Sequence, residues 1–229
     1  MIENVISVSN LTKSYNKIAV LDNITFDLKE GKVYGIVGKN GSGKSTLIHC
    51  ILGLIPWEKG RISILGKDIR YNLDRKYVFS HCSAVLQGTA LPKRLKVSEC
   101  LKLFSILGEY QRNHDDILEK LDLDGLLNKE YGNLSYGQQQ KVLLATALLQ
   151  KFEVILLDEP TNGIDAFTRR QILEFIKKIR SEKKTIIYIS HISEDIFDIC
   201  DDVILIKNNK VEFVSDMDIL VQETGGVSE

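Results

Sequence analysis

The run Gly38-Lys39-Asn40-Gly41-Ser42-Gly43-Lys44-Ser45-Thr46 carries the pattern G-x-x-x-x-G-K-S. These residue types at this spacing bind phosphate. Glycines let the backbone close around phosphate oxygens with no Cβ in the way. Successive backbone N–H groups at a helix start form a concavity, and the helix dipole there favours negative charge. Lys44 adds a full positive charge for β- and γ-phosphates, and Ser45 offers its hydroxyl to Mg²⁺. The flanks fit this chemistry. Val33-Tyr34-Gly35-Ile36-Val37 reads as a buried strand, and Leu47-Ile48-His49-Cys50-Ile51-Leu52 as a helix.

Further groups stand where they could complete such a site. Asp158 and Glu159 follow the apolar run Val154-Ile155-Leu156-Leu157. A short apolar run suits a strand covered on both faces, and the C-terminal ends of such strands are where α/β sheets bind ligands. Taken alone, two acids there are equally well solvated loop residues. Downstream of a phosphate loop, Asp158 can hold the Mg²⁺ shell and Glu159 can orient or polarise a water. His191 ends the next apolar run, Thr185-Ile186-Ile187-Tyr188-Ile189. It is either ordinary loop histidine or within reach of a γ-phosphate. Gln87 ends a strand-like stretch from Cys82. Ser135 and Gln138 fit an S-x-x-Q capping box. The same residues, with the small Gly137, would also leave a helix N-terminus open to a second phosphate, and spacing does not separate the two readings. Tyr15, read in a loop after a first strand at 5–11, is by itself packing rather than a ligand platform.

The elements that position these groups alternate. Ile24-Thr25-Phe26-Asp27-Leu28 alternates as a second strand, and Glu30-Gly31-Lys32 turns into the third. Arg61 to Lys67 is a further short strand and turn. From Val97 to about Leu127 the apolar residues keep helical spacing (Val97, Leu101, Phe104, Leu107, Ile117, Leu118, Leu121). Residues 88–150 thus read as a helical insertion between strands. Asp165 is an N-cap for a helix with Ile172, Leu173, Ile176 and Ile179 on one face and a Glu174–Lys178 pair on another. Val203–Ile206 and Val211–Val214 flank a hairpin turn, and the tail after Val221 is polar and reads as frayed. The expected fold class is α/β: a P-loop NTPase core with a mainly parallel sheet, an N-terminal antiparallel β subdomain and an inserted helical subdomain.

Composition narrows the function. The chain has 229 residues, 44% hydrophobic and 27% charged, with a net charge of −1. That allows a sizeable core and lacks the basic excess of a general nucleic-acid binder, so no nucleic acid is expected as a partner. No run of about 18 apolar residues encodes a membrane span, and Met1-Ile2-Glu3-Asn4 does not open a signal peptide. The expected location is the cytoplasm. Cys50, Cys82, Cys100 and Cys200 form no C-x-x-C and read as reduced thiols.

Together these pieces resemble the ATP-binding cassette (ABC) ATPases, from Tyr15 to about Phe213. Leu134-Ser135-Tyr136-Gly137-Gln138-Gln139-Gln140 is similar to the family's LSGGQ signature. Leu156 to Asp165 is similar to its Walker B strand and D-loop, Gln87 to its Q-loop glutamine and His191 to its switch histidine. The resemblance implies that Tyr15 stacks on adenine, that Gly38 to Thr46 hold the phosphates of ATP, and that Ser45, Gln87 and Asp158 serve Mg²⁺. Glu159 would be general base, with His191 at the γ-phosphate. It further implies a head-to-tail pair of cassettes, in which Ser135, Gly137 and Gln138 meet the ATP on the opposite P-loop and Asp165 lies near the shared interface.

Tyr136 replaces a glycine of the signature, Lys141 an arginine, and Asn162 and Ile164 the commoner D-loop serine and leucine. Residues 1–229 are expected to form a single ABC ATP-binding domain. It would dock on the cytoplasmic face of the membrane under an integral membrane permease subunit. The texture around Val97–Leu101 and Thr161–Asp165 resembles exporter cassettes. The alternative is a soluble ABC ATPase of cofactor or complex assembly.

Overall fold

The computed structural model describes residues 4–107 and 114–214. The expected tail after Val221 lies outside the described residues. Strands β1 (Asn4–Tyr15) and β2 (Ile18–Lys29) pair antiparallel. Asn16 and Lys17, at φ 51° and 67°, turn the chain between them. Two central residues with positive φ give the type I′ geometry, whose twist matches a hairpin. The first strand therefore runs past residue 11, and Tyr15 is its last residue rather than a loop residue. Asn16-Lys17 lacks the glycine that usually marks such a turn, so the sequence conceals it.

β1 also pairs with β4 (Lys59–Ile64), and β4 with β5 (Lys67–Ile69), giving a four-stranded antiparallel sheet. The second sheet has the order β10 (Lys210–Val214), β9 (Asp202–Lys207), β3 (Val33–Val37), β8 (Thr185–Ile189), β7 (Val154–Asp158), β6 (Cys82–Val85). Neighbours from β9 to β6 are parallel, and β10 closes one edge antiparallel, forming the expected hairpin with β9.

The second sheet lies between two apolar layers. Val154 and Leu156 of β7 face one layer, and Ile155 and Leu157 the other. Ile187 and Ile189 of β8 alternate likewise with Ile186 and Tyr188. Burial on both faces is why these strands read as unbroken apolar runs. Each such side chain contributes about 1.5–3 kcal/mol on leaving water.

Helix α1 (Lys44–Ile51) fills the layer between the sheets. α3 (Val97–Leu107), α4 (His114–Leu121), α5 (Tyr136–Leu148), α6 (Ala166–Ser181) and α7 (Ser193–Ile199) contribute to the other layer. α5 returns from the helical region to the sheet, where Ser83 Oγ donates to the Ala147 carbonyl at 2.8 Å. The sheets are also tied by hydrogen bonds at the turn between β9 and β10. Asn209 donates from Nδ2 to Ala19 O at 2.8 Å, and the Asp22 N–H donates to Asn209 O.

Two details depart from the sequence reading. A short helix, α2 (Arg75–His81), precedes β6 where none is expected; Val78 is its buried residue, too little for a periodic signal. Glu174 pairs with Lys177 at 3.2 Å, while Lys178 reaches Asp116 of α4 at 3.6 Å, so the Glu174–Lys178 pair is not formed. An oppositely charged residue on the neighbouring helix draws Lys178 away.

Candidate functional site

Parallel pairing brings four strand ends to one edge of the sheet. In spatial order β3 leads into Gly38, β8 into His191, β7 ends in Asp158 with Glu159 next, and β6 leads toward Gln87. The residues most separated in sequence thus become neighbours. A cleft of about 840 Å³ opens there, lined by Tyr15, Val20, most of the Gly38–Thr46 loop, Gln87, Asp158, Glu159, Asn162 and His191.

The loop's shape depends on two glycines in particular. A Cβ on Gly38 (φ 147°) would stand 2.5 Å from Ile206 O and 2.7 Å from Ser42 Oγ. Gly43 (φ 106°) is the N-cap of α1, and a Cβ there would press on Val20 and Leu21 at 3.0 Å. No side chain caps α1, which leaves its first-turn N–H groups to a ligand. Lys44 is buried, and burial pulls its ammonium below the usual lysine range. Its Nζ donates to the carbonyls of Gly38 at 2.6 Å and Lys39 at 3.1 Å. Ser42 lies behind the lining, with its Oγ buried and without a hydrogen-bond partner. A cradle that a Cβ would fill, an ammonium and an orphaned hydroxyl fit a phosphate chain.

Ser45 Oγ donates to Asp158 Oδ2 at 3.2 Å. Burial holds the Asp158 carboxyl above the ordinary carboxylate range, and the charge of Glu159 adds to this. Hydroxyl, carboxylate and the nearby Gln87 amide are hard oxygen donors of the kind Mg²⁺ takes, with phosphates and water completing its shell. Among the described residues no group of three or more His, Cys, Asp or Glu converges as a metal cage.

Glu159 is the hub of the cleft. Its Oε2 accepts from Gln87 Nε2 at 3.3 Å and Asn162 Nδ2 at 3.0 Å, and its Oε1 lies 3.3 Å from His191 Nδ1. Its backbone sits in the left-handed region at φ 53°, immediately before Pro160. Such a conformation costs about 1–3 kcal/mol in a residue other than glycine and persists where surrounding structure imposes it. Val20 and Asn162 line the cleft without a sequence signal for it: Asn162 stands out in the sequence only as a D-loop departure, and three positions after a glutamate it needs the turn that folds it back.

Tyr15 stands at the cleft mouth, 46% exposed, with Lys13 Nζ 4.9 Å from its ring centroid. Ser135, Gly137, Gln138 and Asp165 do not line the cleft. Ser135 and Gln138 form the capping box of α5 in full, Ser135 Oγ accepting from the Gln138 N–H and Gln138 Oε1 from the Ser135 N–H. Asp165 caps α6 through the Thr168 N–H at 2.9 Å. Tyr136 is 52% exposed, its Cε1 3.5 Å from where a Cβ on Gly163 would be.

This fold and this cleft define a P-loop nucleoside triphosphatase. The chain belongs to the ABC transporter family, whose pattern it matches over residues 21–162. It is 33% identical over 214 residues to the methionine import ATP-binding protein MetN of Clostridium tetani, covering 90% of this chain and 67% of that protein. It is 33% identical over 217 residues to the manganese transport system ATP-binding protein MntB of Listeria monocytogenes, covering 89% and 87%. A solved ATP binding subunit of an ABC transporter superposes with a TM-score of 0.83 at 25% identity, covering 98% of this chain and 95% of that one. The chain is an ATP-binding subunit that hydrolyses ATP and uses Mg²⁺.

Proposed function

We infer that hydrolysis in this cleft drives transport through a separate membrane-spanning partner. The observation that carries the chemical assignment is the Glu159 carboxylate, held by Gln87, Asn162 and His191 beside the phosphate loop. In this reading Tyr15 stacks on adenine, and Gly38 to Thr46 hold the phosphates. Lys44 leaves the loop carbonyls for the β- and γ-phosphates, and His191 contacts the γ-phosphate. Glu159 takes a proton from water as the water oxygen attacks the γ-phosphorus and the bond to the ADP oxygen breaks. Mg²⁺, served by Ser45, Gln87 and Asp158, supplies charge neutralisation at the phosphates.

Ser135, Gly137 and Gln138 do not line their own cleft, which supports their meeting the ATP of a second cassette, with Asp165 near the interface. The Ser135 hydroxyl can accept the cap bond and still donate its proton to a phosphate oxygen. Residues 1–229 read as one ATP-binding domain with its helical part at about 88–150. Among the described residues no helix is long and apolar enough to cross a membrane; in this reading a separate partner supplies the spanning part, and the cassette sits at its cytoplasmic face. The relatives are named for methionine import and manganese transport, and the export expected from the Val97–Leu101 and Thr161–Asp165 texture draws no support from them.

The test is Glu159→Gln. ATP binding is expected to persist, hydrolysis to fall about 100-fold or more, and the ATP-bound protein to run as a dimer on size exclusion. Turnover within about twofold of the parent would show that Glu159 is not the base.

A further inference from the structure

Next to the cleft lies a polar cluster whose side-chain hydrogen bonds go to one another and to Glu194, not to a lining side chain. Asp195 of α7 and Tyr188 of β8 are both 0% exposed, and Thr161 is 1% exposed. Asp195 Oδ2 accepts from Thr161 Oγ1 at 2.5 Å and from Tyr188 Oη at 2.8 Å. Asp195 Oδ1 accepts from Arg169 Nε of α6 at 2.6 Å. The two hydroxyl protons both go to the carboxylate, so the 2.9 Å approach of Thr161 to Tyr188 needs no proton of its own. Burial and the nearby Asp195 charge hold the Tyr188 hydroxyl well above its usual range, which keeps it a donor.

The cluster's position in the chain matters more than its strength. Thr161 stands two residues after Glu159, and Asp195 four residues after His191, with Tyr188 three before it. Each partner is thus one short step from a group that meets in the cleft. Glu159 is fixed on its near side, where its N–H donates to Ile189 O at 2.9 Å. On its far side the first fully buried side chain with polar bonds is Thr161. Two anchors straddle a residue in a conformation it would otherwise leave.

We propose that Thr161, Tyr188, Asp195 and Arg169 are positioning residues that lock the Glu159 loop and the His191 loop into one unit and so set the Glu159–His191 geometry during hydrolysis. This rests on the reading of Glu159 given above. None of the four lines the cleft, so their loss changes the rate of the chemical step and leaves nucleotide affinity in place. Effects of residues acting as one unit are non-additive. Removing a hydroxyl therefore matters while His191 is present to be aligned, and little once it is gone.

The experiment uses the full chain and the shape-conserving variants Tyr188→Phe and Thr161→Val, each alone and combined with His191→Ala. ATPase kcat and KM, ADP affinity and melting temperature are measured for all. Tyr188→Phe is expected to lower kcat about tenfold with KM and ADP affinity within about twofold. In the His191→Ala background the same change is expected to cost less than about twofold. Equal losses in both backgrounds, or a parent-like kcat, would overturn the proposal. If Thr161→Val does not fold, Tyr188→Phe decides alone. If Glu159→Gln is inactive while Tyr188→Phe turns over normally, this inference fails and the assignment of Glu159 stands. If Glu159→Gln remains active, the assignment itself fails.

Discussion

Asp158 and Glu159 are adjacent acids in opposite circumstances. Glu159 reaches into the cleft on a strained backbone and is held by three side chains. Asp158 ends a buried strand, and its carboxyl is held above the ordinary range by burial first and by its neighbour's charge second. The consequence for stability has a definite sign. A carboxyl whose folded pKa is raised favours the fold below its unfolded value, near about 3.9, and that contribution is lost as pH rises through the folded value. At neutral pH the nucleotide-free protein therefore carries a cost at Asp158. Asp158→Asn is expected to melt higher than the parent at pH 7, with the difference shrinking as pH falls towards the ordinary carboxylate range. The mutant is also expected to lose the extra stabilisation that Mg²⁺ and ATP give the parent. Calorimetry with and without Mg²⁺-ATP checks both, and a pH-independent difference would contradict the argument.

Among the elements, α5 shows how one helix start can hold two readings. Its capping box is complete, so Ser135 has a structural role in the isolated chain. Replacing an N-cap serine by alanine costs about 1 kcal/mol, whereas glycine costs a few tenths. Ser135→Ala is therefore expected to lower the melting temperature by about 2–4 °C, and Ser135→Gly to leave it nearly unchanged. Both remove the hydroxyl. If Ser135 serves ATP on a second cassette, Ser135→Gly loses ATPase activity despite its retained melting temperature; parent-like activity would leave it a cap alone. Gly137 belongs to the same arrangement. A Cβ there would stand 3.2 Å from Thr168 Cγ2, so the starts of α5 and α6 approach closely, and Tyr136 lies over Gly163 in the loop between β7 and α6.

Across the whole molecule, the two apolar layers enclose most of the thiols. Cys50, Cys82 and Cys100 are buried and Cys200 half-buried. Burial pushes Cys50 and Cys82 up to about 12 and raises Cys100 and Cys200 as well. A thiol reagent at pH 8 is expected to leave the native protein unlabelled and to find all four cysteines in denaturant. Labelling in mild denaturant then reports opening of the fold. Cys50 lies on α1 behind the phosphate loop, so ATP at 100 times its Kd is expected to slow its labelling about 100-fold, the linkage expected for a ligand of the native state. Mass spectrometry of labelled peptides reads this directly; equal rates with and without ATP would mean that Cys50 exposure does not need the nucleotide site to open.

Local rules suffice for part of this protein. Gly38 to Thr46 need only glycine conformations and a helix start, and the apolar runs at Val154–Leu157 and Thr185–Ile189 follow from burial on both faces. The capping box at Ser135 and the N-cap at Asp165 depend on neighbours three residues away. Whatever depends on which strands lie side by side comes from packing alone. The order β3-β8-β7-β6 puts Gly38, His191, Glu159 and Gln87 along one edge, and no window of sequence contains that order. The turn that folds Asn162 onto Glu159, and the packing that buries Asp195 against Thr161, Tyr188 and Arg169, arise from contacts between distant segments. An asparagine, a tyrosine and an aspartate are unremarkable in a sequence; their partners give them meaning, and the partners are chosen by the sheet.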